Sequence, residues 1–316
     1  METVVFFRRF LNFQGGHLKV FHYFEHVRSS PDYTARIRFS DDSVWGPANP
    51  WSAFPDAVLD PADPAVGDVR FLAGMDWRAL PGAERSSSPV PVINLIQGFR
   101  HTRPESPAYE FLAHPAIRIC VSEQLEAALS EIERVSGPIF TIPIGLDLDR
   151  LPPRRAADQR DIDCLVLAIK APVMGASLAR RLRELSYSVA LVERPLPRAE
   201  LLDALARARV SVHLPALVEG AYLPALESMA LETLVVCPDC VGNRSFCRDL
   251  ETCLVPARDE RALLEAARTL LEASAQDRQR LQTAGRRESE VHALEHERAD
   301  FLEILARARE LWPARR

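Results

Sequence analysis

Short apolar runs alternate with segments of helical periodicity along most of the chain. In the first half, these apolar runs cover residues 4–7, 35–39, 69–72, 92–96 and 117–121. In the second half they cover residues 164–169, 189–192, 210–214, 234–236 and 253–255. Helical patterns separate many of them, at 16–27, 122–135, 177–185, 198–207, 224–231 and 260–271. Strands that alternate with helices favour an α/β architecture with parallel sheets.

A polar, proline-led break begins at Pro152 and divides this pattern into two units. We predict an N-terminal domain over residues 1–151 and a second α/β domain over residues 152–286. The last 30 residues, about 287–316, form a charged helical pattern. A chain of 316 residues, 47% of them hydrophobic, is long enough for two domains with their own cores.

The charge balance excludes some classes of partner. The formal net charge is −5, and proteins that bind the nucleic-acid backbone carry a basic excess. No run approaches 18 apolar residues, and the apolar run before Arg8 is too short for an export signal. We therefore expect a cytoplasmic chain without a nucleic-acid partner, one that could still associate peripherally with the inner face of the membrane.

The segment from 214 to 238 holds two carboxylates, Glu219 and Glu227, in nearly uncharged surroundings. On one unbroken helix they would lie about 12 Å apart and well round the axis, too far apart to serve one small ligand. Gly220 and Pro224 break that helix, because glycine permits unusual backbone angles and proline suits the first turn of a new helix. We predict Glu219 on a loop and Glu227 in the first helical turn.

A helix that starts at a tight loop directs unpaired N–H groups at a ligand, and its dipole favours negative charge there. An ionised carboxylate only accepts hydrogen bonds and can take two sugar hydroxyls at once. Together these groups predict a nucleotide-sugar site, with amides on phosphate and carboxylates on hydroxyls. The alternative is a loop before an ordinary amphipathic helix with solvated glutamates.

The surrounding sequence resembles the retaining glycosyltransferases of family 4, the group 1 glycosyl transferases. Their pattern Glu-Gly-x-x-x-Pro-x-x-Glu-x-Met-Ala matches residues 219–230. The neighbouring pieces also match: the helix at 200–208, Val210-Ser-Val-His-Leu-Pro, Leu234-Val-Val, Gly242-Asn-Arg and Leu254-Val-Pro. Upstream, Ile142-Pro-Ile-Gly-Leu-Asp resembles the junction between that family's two domains. The resemblance extends from roughly residue 117 to residue 285.

This resemblance implies a GT-B fold, in which two Rossmann-like domains face a cleft. It also implies that the C-terminal helix, about 287–316, crosses back and belongs to the N-terminal domain. It implies transfer of a sugar from a nucleotide diphosphate to a hydroxyl acceptor with retention of configuration, without metal or other cofactor. Glycan or polysaccharide biosynthesis is the expected setting. The acceptor would be a glycan, a lipid-linked molecule or another alcohol, bound by the N-terminal domain.

Within this framework the catalytic candidates are Glu219, Lys170 and His101. Lys170 follows the first strand of the second unit, where its charge would stabilise the departing diphosphate. The family usually has an Arg about five positions earlier, where this chain has Leu165, and Arg194 could replace it. Glu227 is expected to bind the ribose hydroxyls. The remaining donor-binding candidates are Gly220, Ala221, Tyr222, Leu223, Arg194, Gly15 and Gly16.

Two other functions stay open at this point. The missing Arg also fits a non-catalytic GT-B homologue that binds nucleotide sugars or serves as a partner subunit. A structural zinc site is the second alternative, because Cys237, Cys240, Cys247 and Cys253 lie close together in sequence. Their spacing is not that of two Cys-x-x-Cys pairs, and buried thiols also pack as apolar side chains.

Overall fold

The computed structural model of the protein describes residues 1–13, 15–60 and 67–312. The chain divides into two compact units. Unit 1 comprises Met1–Pro143 and Glu297–Arg316, and unit 2 comprises Ile144–His296. The predicted boundaries lay after residue 151 and near 287. Unit 2 begins earlier because the Leu146 backbone bonds to His292 and Leu294, at N–O distances of 2.7 and 3.0 Å.

Unit 1 is built on a parallel sheet with the strand order β2-β1-β3-β4-β5-β6. The strands are β1 (Glu2–Arg8), β2 (Tyr33–Phe39), β3 (Val69–Ala73), β4 (Val92–Ile96), β5 (Ile117–Cys120) and β6 (Ile139–Thr141). The helices of this part are α1 (Gly15–Arg28), α2 (Gly82–Ser86), α3 (Pro107–Glu110) and α4 (Glu123–Ser130). The sequence did not predict β6, because its three residues are only half-buried and show no clear pattern.

Aromatic side chains fill the core between this sheet and α1. Phe6 of β1 stacks on Phe71 of β3 with ring centroids 4.6 Å apart, and it meets Phe24 of α1 edge-on at 5.5 Å. Trp51 is fully buried and lies edge-on to Phe21 of α1. The segment that follows β2 therefore contributes to the core, through short 3-10 turns at Pro50–Ala53 and Pro55–Ala57.

Unit 2 has a second parallel sheet, with the strand order β10-β9-β7-β8. Its strands are β7 (Ile162–Leu167), β8 (Val189–Val192), β9 (Ala208–His213) and β10 (Leu234–Val236). Its helices are α5 (Pro172–Glu184), α6 (Arg198–Arg207), α7 (Leu223–Ala230), α8 (Glu260–Leu271) and α9 (Ala275–Val291). The predicted strand at 253–255 was wrong, because Leu254 forms only an isolated bridge with Val236.

The chain ends in α10 (Leu294–Ala306) and α11 (Ala308–Leu311), and from Glu297 onward it belongs to unit 1. The return of the C-terminal helix to the N-terminal domain is thus confirmed. None of the described helices is long and apolar enough to cross a membrane. The cytoplasmic location stays a prediction.

A buried ion cluster fixes α10 to α1. The Glu297 carboxylate lies 2.5 Å from Lys19 Nζ and 3.0 Å from His26 Nε2, and all three side chains are almost fully buried. Burial raises the pKa of Glu297, but the charge of Lys19 and the hydrogen bond from His26 outweigh burial and lower the pKa to about 2. The cluster thus stabilises the fold only while Glu297 is ionised.

We predict that Glu297→Gln lowers the free energy of unfolding by about 3–5 kcal/mol, because it leaves the Lys19 charge buried without a counter-ion. Glu303→Gln, on the exposed face of the same helix, should cost less than about 0.5 kcal/mol. Urea unfolding measures both. In the wild type, this contribution is present above the ordinary Glu pKa of 4.5 and is lost as pH falls towards about 2. Equal stability of the two variants would contradict the role of Glu297.

Candidate active site

The loop between β9 and α7 carries most of the predicted site residues of unit 2. Helix α7 begins at Leu223, and Pro224 occupies its first turn as predicted. The N–H groups of Ala221, Tyr222 and Leu223 have no hydrogen-bond acceptor among the described residues. Three consecutive free donors thus stand at the start of an eight-residue helix. This is the arrangement that binds a phosphate.

Glu219 lies on this loop, as the sequence predicted, and is half-buried. Its Oε1 accepts a hydrogen bond from Ala216 N at 2.9 Å, while Oε2 has no partner among the described residues. Its backbone N–H donates to Cys240 O at 2.9 Å. Glu219 therefore has a fixed backbone and one carboxylate oxygen open to a ligand.

Two further contacts hold the loop in place. The Arg258 guanidinium donates to the carbonyls of Pro215 and Ala216 at 2.6 and 3.0 Å. On the other side, Gly242 packs against the peptide that joins Glu219 to Gly220. A Cβ on Gly242 would overlap the Glu219 carbonyl oxygen and lie 2.6 Å from that of Gly220. Only glycine fits there.

The loop that carries Gly242 is itself fixed by Asn243, which is buried. Its Oδ1 accepts from Cys240 N at 3.0 Å, and its Nδ2 donates to Pro238 O at 3.1 Å. Between them Val241 adopts a positive φ of 67°, which is rare for a β-branched residue. This strained turn brings Gly242 against the Glu219 loop.

Glu227 lies further along α7 than the sequence predicted, and its side chain is buried. It is the fifth residue of α7 rather than part of the first turn, and its side chain is 1% exposed. Arg198, the first residue of α6, donates from Nη1 to Glu227 Oε1 at 2.5 Å. Sequence reasoning did not single out Arg198, because nothing local indicates a partner 29 positions away.

His213, the last residue of β9, connects this strand to α7 through its side chain. Its Nε2 lies 3.0 Å from Ser211 Oγ and 3.1 Å from Ser228 Oγ. Ser228 donates its own proton to Pro224 O, so it accepts from the histidine. Burial lowers the pKa of His213 to about 3, so the ring is neutral at pH 7 and supports the start of α7.

Lys170 and Arg194 occupy the same edge of the unit 2 sheet as the Glu219 loop. Lys170 follows β7 and Arg194 follows β8, at the carboxyl ends of neighbouring strands. Both side chains are exposed, and neither has a hydrogen-bond or ion-pair partner in the described part of the chain. Leu165, at the position of the family's Arg, is fully buried within β7. Ligands of open α/β sheets bind at this edge.

The unit 1 candidates lie at the carboxyl edge of the other sheet. Gly15 and Gly16 open α1, and the Gly16 carbonyl accepts a hydrogen bond from Gln97 Nε2 at 3.3 Å. Gln14, the first residue of the predicted Gly-Gly turn, lies outside the described residues. His101 follows β4 and is buried, with Nδ1 3.0 Å from Gly98 O and Nε2 unpartnered. Burial lowers its pKa to about 4.

Residues 148–273 match the family model described as glycosyl transferases group 1. The predicted resemblance to the group 1 glycosyl transferases is confirmed over this segment, which contains the β9–α7 loop. No curated protein sequence matches the chain.

Several solved structures superpose on nearly the whole chain. Sucrose-phosphate synthase from Thermosynechococcus elongatus is 15% identical, with a TM-score of 0.73 over 98% of this chain and 100% of its own. Anabaena HepE, in complex with UDP-glucose, is 11% identical, with a TM-score of 0.75 over 97% and 100%. The N-terminal domain of trehalose-6-phosphate phosphatase from Candida albicans is 11% identical, with a TM-score of 0.66 over 97% of each chain.

The chain has the GT-B fold. At these identities the superpositions establish the architecture and not the reaction, since one fold serves many chemistries. In this GT-B chain the predicted site residues form two groups. Those of unit 2 lie around the β9–α7 loop and the ends of β7 and β8, and those of unit 1 lie where α1 starts and β4 ends.

The four clustered cysteines of the GT-B chain, Cys237, Cys240, Cys247 and Cys253, are buried in one apolar cluster with Phe246. Burial raises the pKa of Cys240, and hydrogen bonding with Cys237 and Cys253 raises the pKa of Cys247. Among the described residues, no group of three or more His, Cys, Asp or Glu side chains is arranged to hold a metal. Here the thiols pack as apolar side chains behind the Gly242 turn.

We predict that Gly242→Ala displaces the Glu219 loop and lowers the free energy of unfolding by about 1–3 kcal/mol, the usual cost of overpacking. Gly82→Ala is the matched control, because a Cβ there meets nothing within 4 Å. Urea unfolding gives the stability, and amide chemical shifts of residues 215–223 report the displacement. A Gly242→Ala protein with wild-type shifts in this loop would contradict the close approach.

Proposed function

We propose that the protein is a retaining glycosyltransferase, moving a sugar from a nucleotide diphosphate to a hydroxyl of a glycan or lipid-linked acceptor. The free N–H groups of Ala221, Tyr222 and Leu223 beside the open carboxylate oxygen of Glu219 carry this proposal. They combine a phosphate site with an acceptor of sugar hydroxyl bonds. The match of residues 148–273 to the group 1 glycosyl transferases supports the same reaction class.

In this proposal the amides at the start of α7 hold the diphosphate and Lys170 adds a positive charge from the neighbouring strand end. The family usually has an Arg at the position of Leu165, and in this chain Arg194 can supply that second positive charge. These cations act most strongly as the sugar bond breaks, because negative charge then develops on the leaving diphosphate. No metal is needed to neutralise it.

Glu219 binds hydroxyls of the donor sugar through Oε2, and Glu227 binds the ribose. Arg198 occupies Oε1 of Glu227, so the ribose hydroxyls would bond to Oε2, which has no partner among the described residues. The acceptor hydroxyl attacks on the face that the diphosphate leaves, without a protein nucleophile, so the anomeric configuration is retained. Its proton passes to a phosphate oxygen of the leaving diphosphate as the sugar–phosphate bond breaks. His101 stays a candidate catalytic residue of unit 1, because its Nε2 has no partner among the described residues.

The direct test is binding and transfer by the purified protein across a panel of nucleotide diphosphates and their sugars. Uridine nucleotides come first, because the similar HepE structure holds UDP-glucose. A nucleotide at 100 times its Kd should raise the free energy of unfolding by about 2.7 kcal/mol. Stabilisation together with sugar transfer, with the product anomer assigned by NMR, is the expected result. Failure of every nucleotide to bind would contradict the proposal.

A non-catalytic homologue is the second candidate function, and two observations favour it. Leu165 is buried where the family has an Arg, and Arg198 already neutralises Glu227. Such a protein would bind the nucleotide sugar but would neither hydrolyse nor transfer it. Turnover by the pure chain, abolished by Glu219→Gln, excludes this alternative.

We predict that Glu227→Gln weakens binding of the nucleotide diphosphate by about 1.5–3 kcal/mol, the usual value of hydrogen bonds to a charged group. Glu200→Gln is the control, because Glu200 is exposed on α6 near Arg198 but lies outside the ribose site. Calorimetric titration measures both variants, and circular dichroism checks that they are folded. Unchanged nucleotide affinity in Glu227→Gln would refute the ribose assignment.

We predict that Lys170→Ala lowers turnover far more than it lowers affinity for the free nucleoside, because the ammonium group acts on the diphosphate. Its exposure means that the fold should be unaffected. Lys170→Arg keeps the charge and should recover part of the activity. If nucleoside and sugar nucleotide lose affinity equally, Lys170 has no role in departure of the leaving group.

We predict that activity survives exhaustive EDTA treatment, because amides and Lys170 hold the diphosphate. Asp161 and Asp163 stand at the amino end of β7, where Arg207 and Arg209 bond to them. That end lies opposite the ligand edge of the sheet. Activity that EDTA removes and Mg²⁺ or Mn²⁺ restores would reject the metal-free mechanism. Attention would then turn to Asp147 and Asp149, a second Asp-x-Asp pair within unit 2.

A further inference from the structure

A cluster of charged side chains at the carboxyl edge of the unit 1 sheet is not used by the proposed chemistry. Arg8 ends β1, Asp76 follows β3 and Arg100 follows β4. Strands β1, β3 and β4 are neighbours in the sheet, so these residues leave it at adjacent positions. None of the three was predicted as a site residue from the sequence, although Arg100 is next to the candidate His101.

Arg8 is held rigidly by two partners. Its Nη1 lies 2.6 Å from Asp76 Oδ2, and its Nε donates to Nδ1 of His17 at 2.9 Å. Burial and the charge of Arg8 lower the pKa of His17 to about 4, so this ring is neutral at pH 7 and accepts from Arg8. The Ala73 N–H also donates to Asp76 at 3.2 Å. The single carboxylate of the cluster is thus already bonded to Arg8 and to the backbone.

Arg100 has no such partner. Its side chain makes no hydrogen bond or ion pair among the described residues, yet its Nη2 lies directly over Gly74. Gly74 has a positive φ of 56°, and a Cβ there would collide with Nη2. Arg100 as a whole residue is exposed to solvent, but its guanidinium group is partly buried. This burial and the nearby charge of Arg8 lower the pKa of Arg100. The cluster therefore has one more cation than anion.

We propose that Arg8 and Arg100 form a binding site for an anionic group, a phosphate or a carboxylate, carried by the acceptor. A planar guanidinium bonds such oxyanions with two parallel N–H groups. An anion beside Arg100 would also relieve its repulsion from Arg8. The assignment to the acceptor rests on the proposed function, in which the donor diphosphate is bound by α7 and Lys170 of unit 2.

The probe is inorganic phosphate, added at constant ionic strength to the full chain with and without saturating UDP. Amide shifts of Gly74 and His17 report binding. We expect saturable shifts at both amides under both conditions. Arg100→Ala should weaken phosphate affinity at least tenfold. Arg103→Ala is the matched control, an exposed arginine three positions further on, and should stay within twofold of the wild type.

Absence of saturable shifts in the wild type would overturn the site, as would equal phosphate affinity in Arg100→Ala. If UDP abolishes phosphate binding at this site, Arg8 and Arg100 bind the donor nucleotide, and their proposed role in acceptor binding is overturned. If UDP itself fails to bind, the proposed function fails, while the titration without UDP still decides whether the anion site exists.

Discussion

The candidate site depends on the contact between Gly242 and the peptide joining Glu219 to Gly220. Because no Cβ stands between the two loops, the Glu219 N–H reaches Cys240 O. Arg258 holds the other end of the loop through the carbonyls of Pro215 and Ala216. With its backbone fixed on both sides, the segment enters α7 with three N–H groups that have no acceptor in the described part of the chain. Fixed donors cost little reorganisation when an anion binds, which is what stabilisation of a leaving diphosphate requires.

Charge is distributed differently in the two units. In unit 2 the buried polar groups at the site are compensated, since Arg198 pairs with Glu227 and burial keeps His213 neutral. The open groups there are exposed cations and backbone amides, which suit a diphosphate. In unit 1, Arg8 forms an ion pair with Asp76, and Arg100 has no ion-pair partner among the described residues. Both sheets thus present unpaired positive charge at their carboxyl edges, although the chain as a whole has a net charge of −5.

Local sequence patterns were sufficient for the fold class and for the break of the helix at Pro224. They could not give pairings between distant residues. Leu146 bonds to His292 and so assigns residues 144–151 to unit 2, and no periodicity encodes that contact. The same limit hid the Arg198–Glu227 ion pair. Glu227 lies outside the first turn because α7 begins at Leu223, one residue earlier than predicted. The predicted strand at 253–255 failed because apolar character marks burial, and of these buried residues only Leu254 pairs with the sheet, through one isolated bridge to Val236.

The central claim is that the start of α7 and the Glu219 loop bind a nucleotide sugar. Hydrogen exchange measured by mass spectrometry, with and without saturating UDP-glucose, tests it most directly. The account predicts slower exchange in peptides covering residues 215–230, where the amides of Ala221, Tyr222 and Leu223 would become bonded to phosphate. Binding of UDP-glucose that leaves exchange in these peptides unchanged would contradict it.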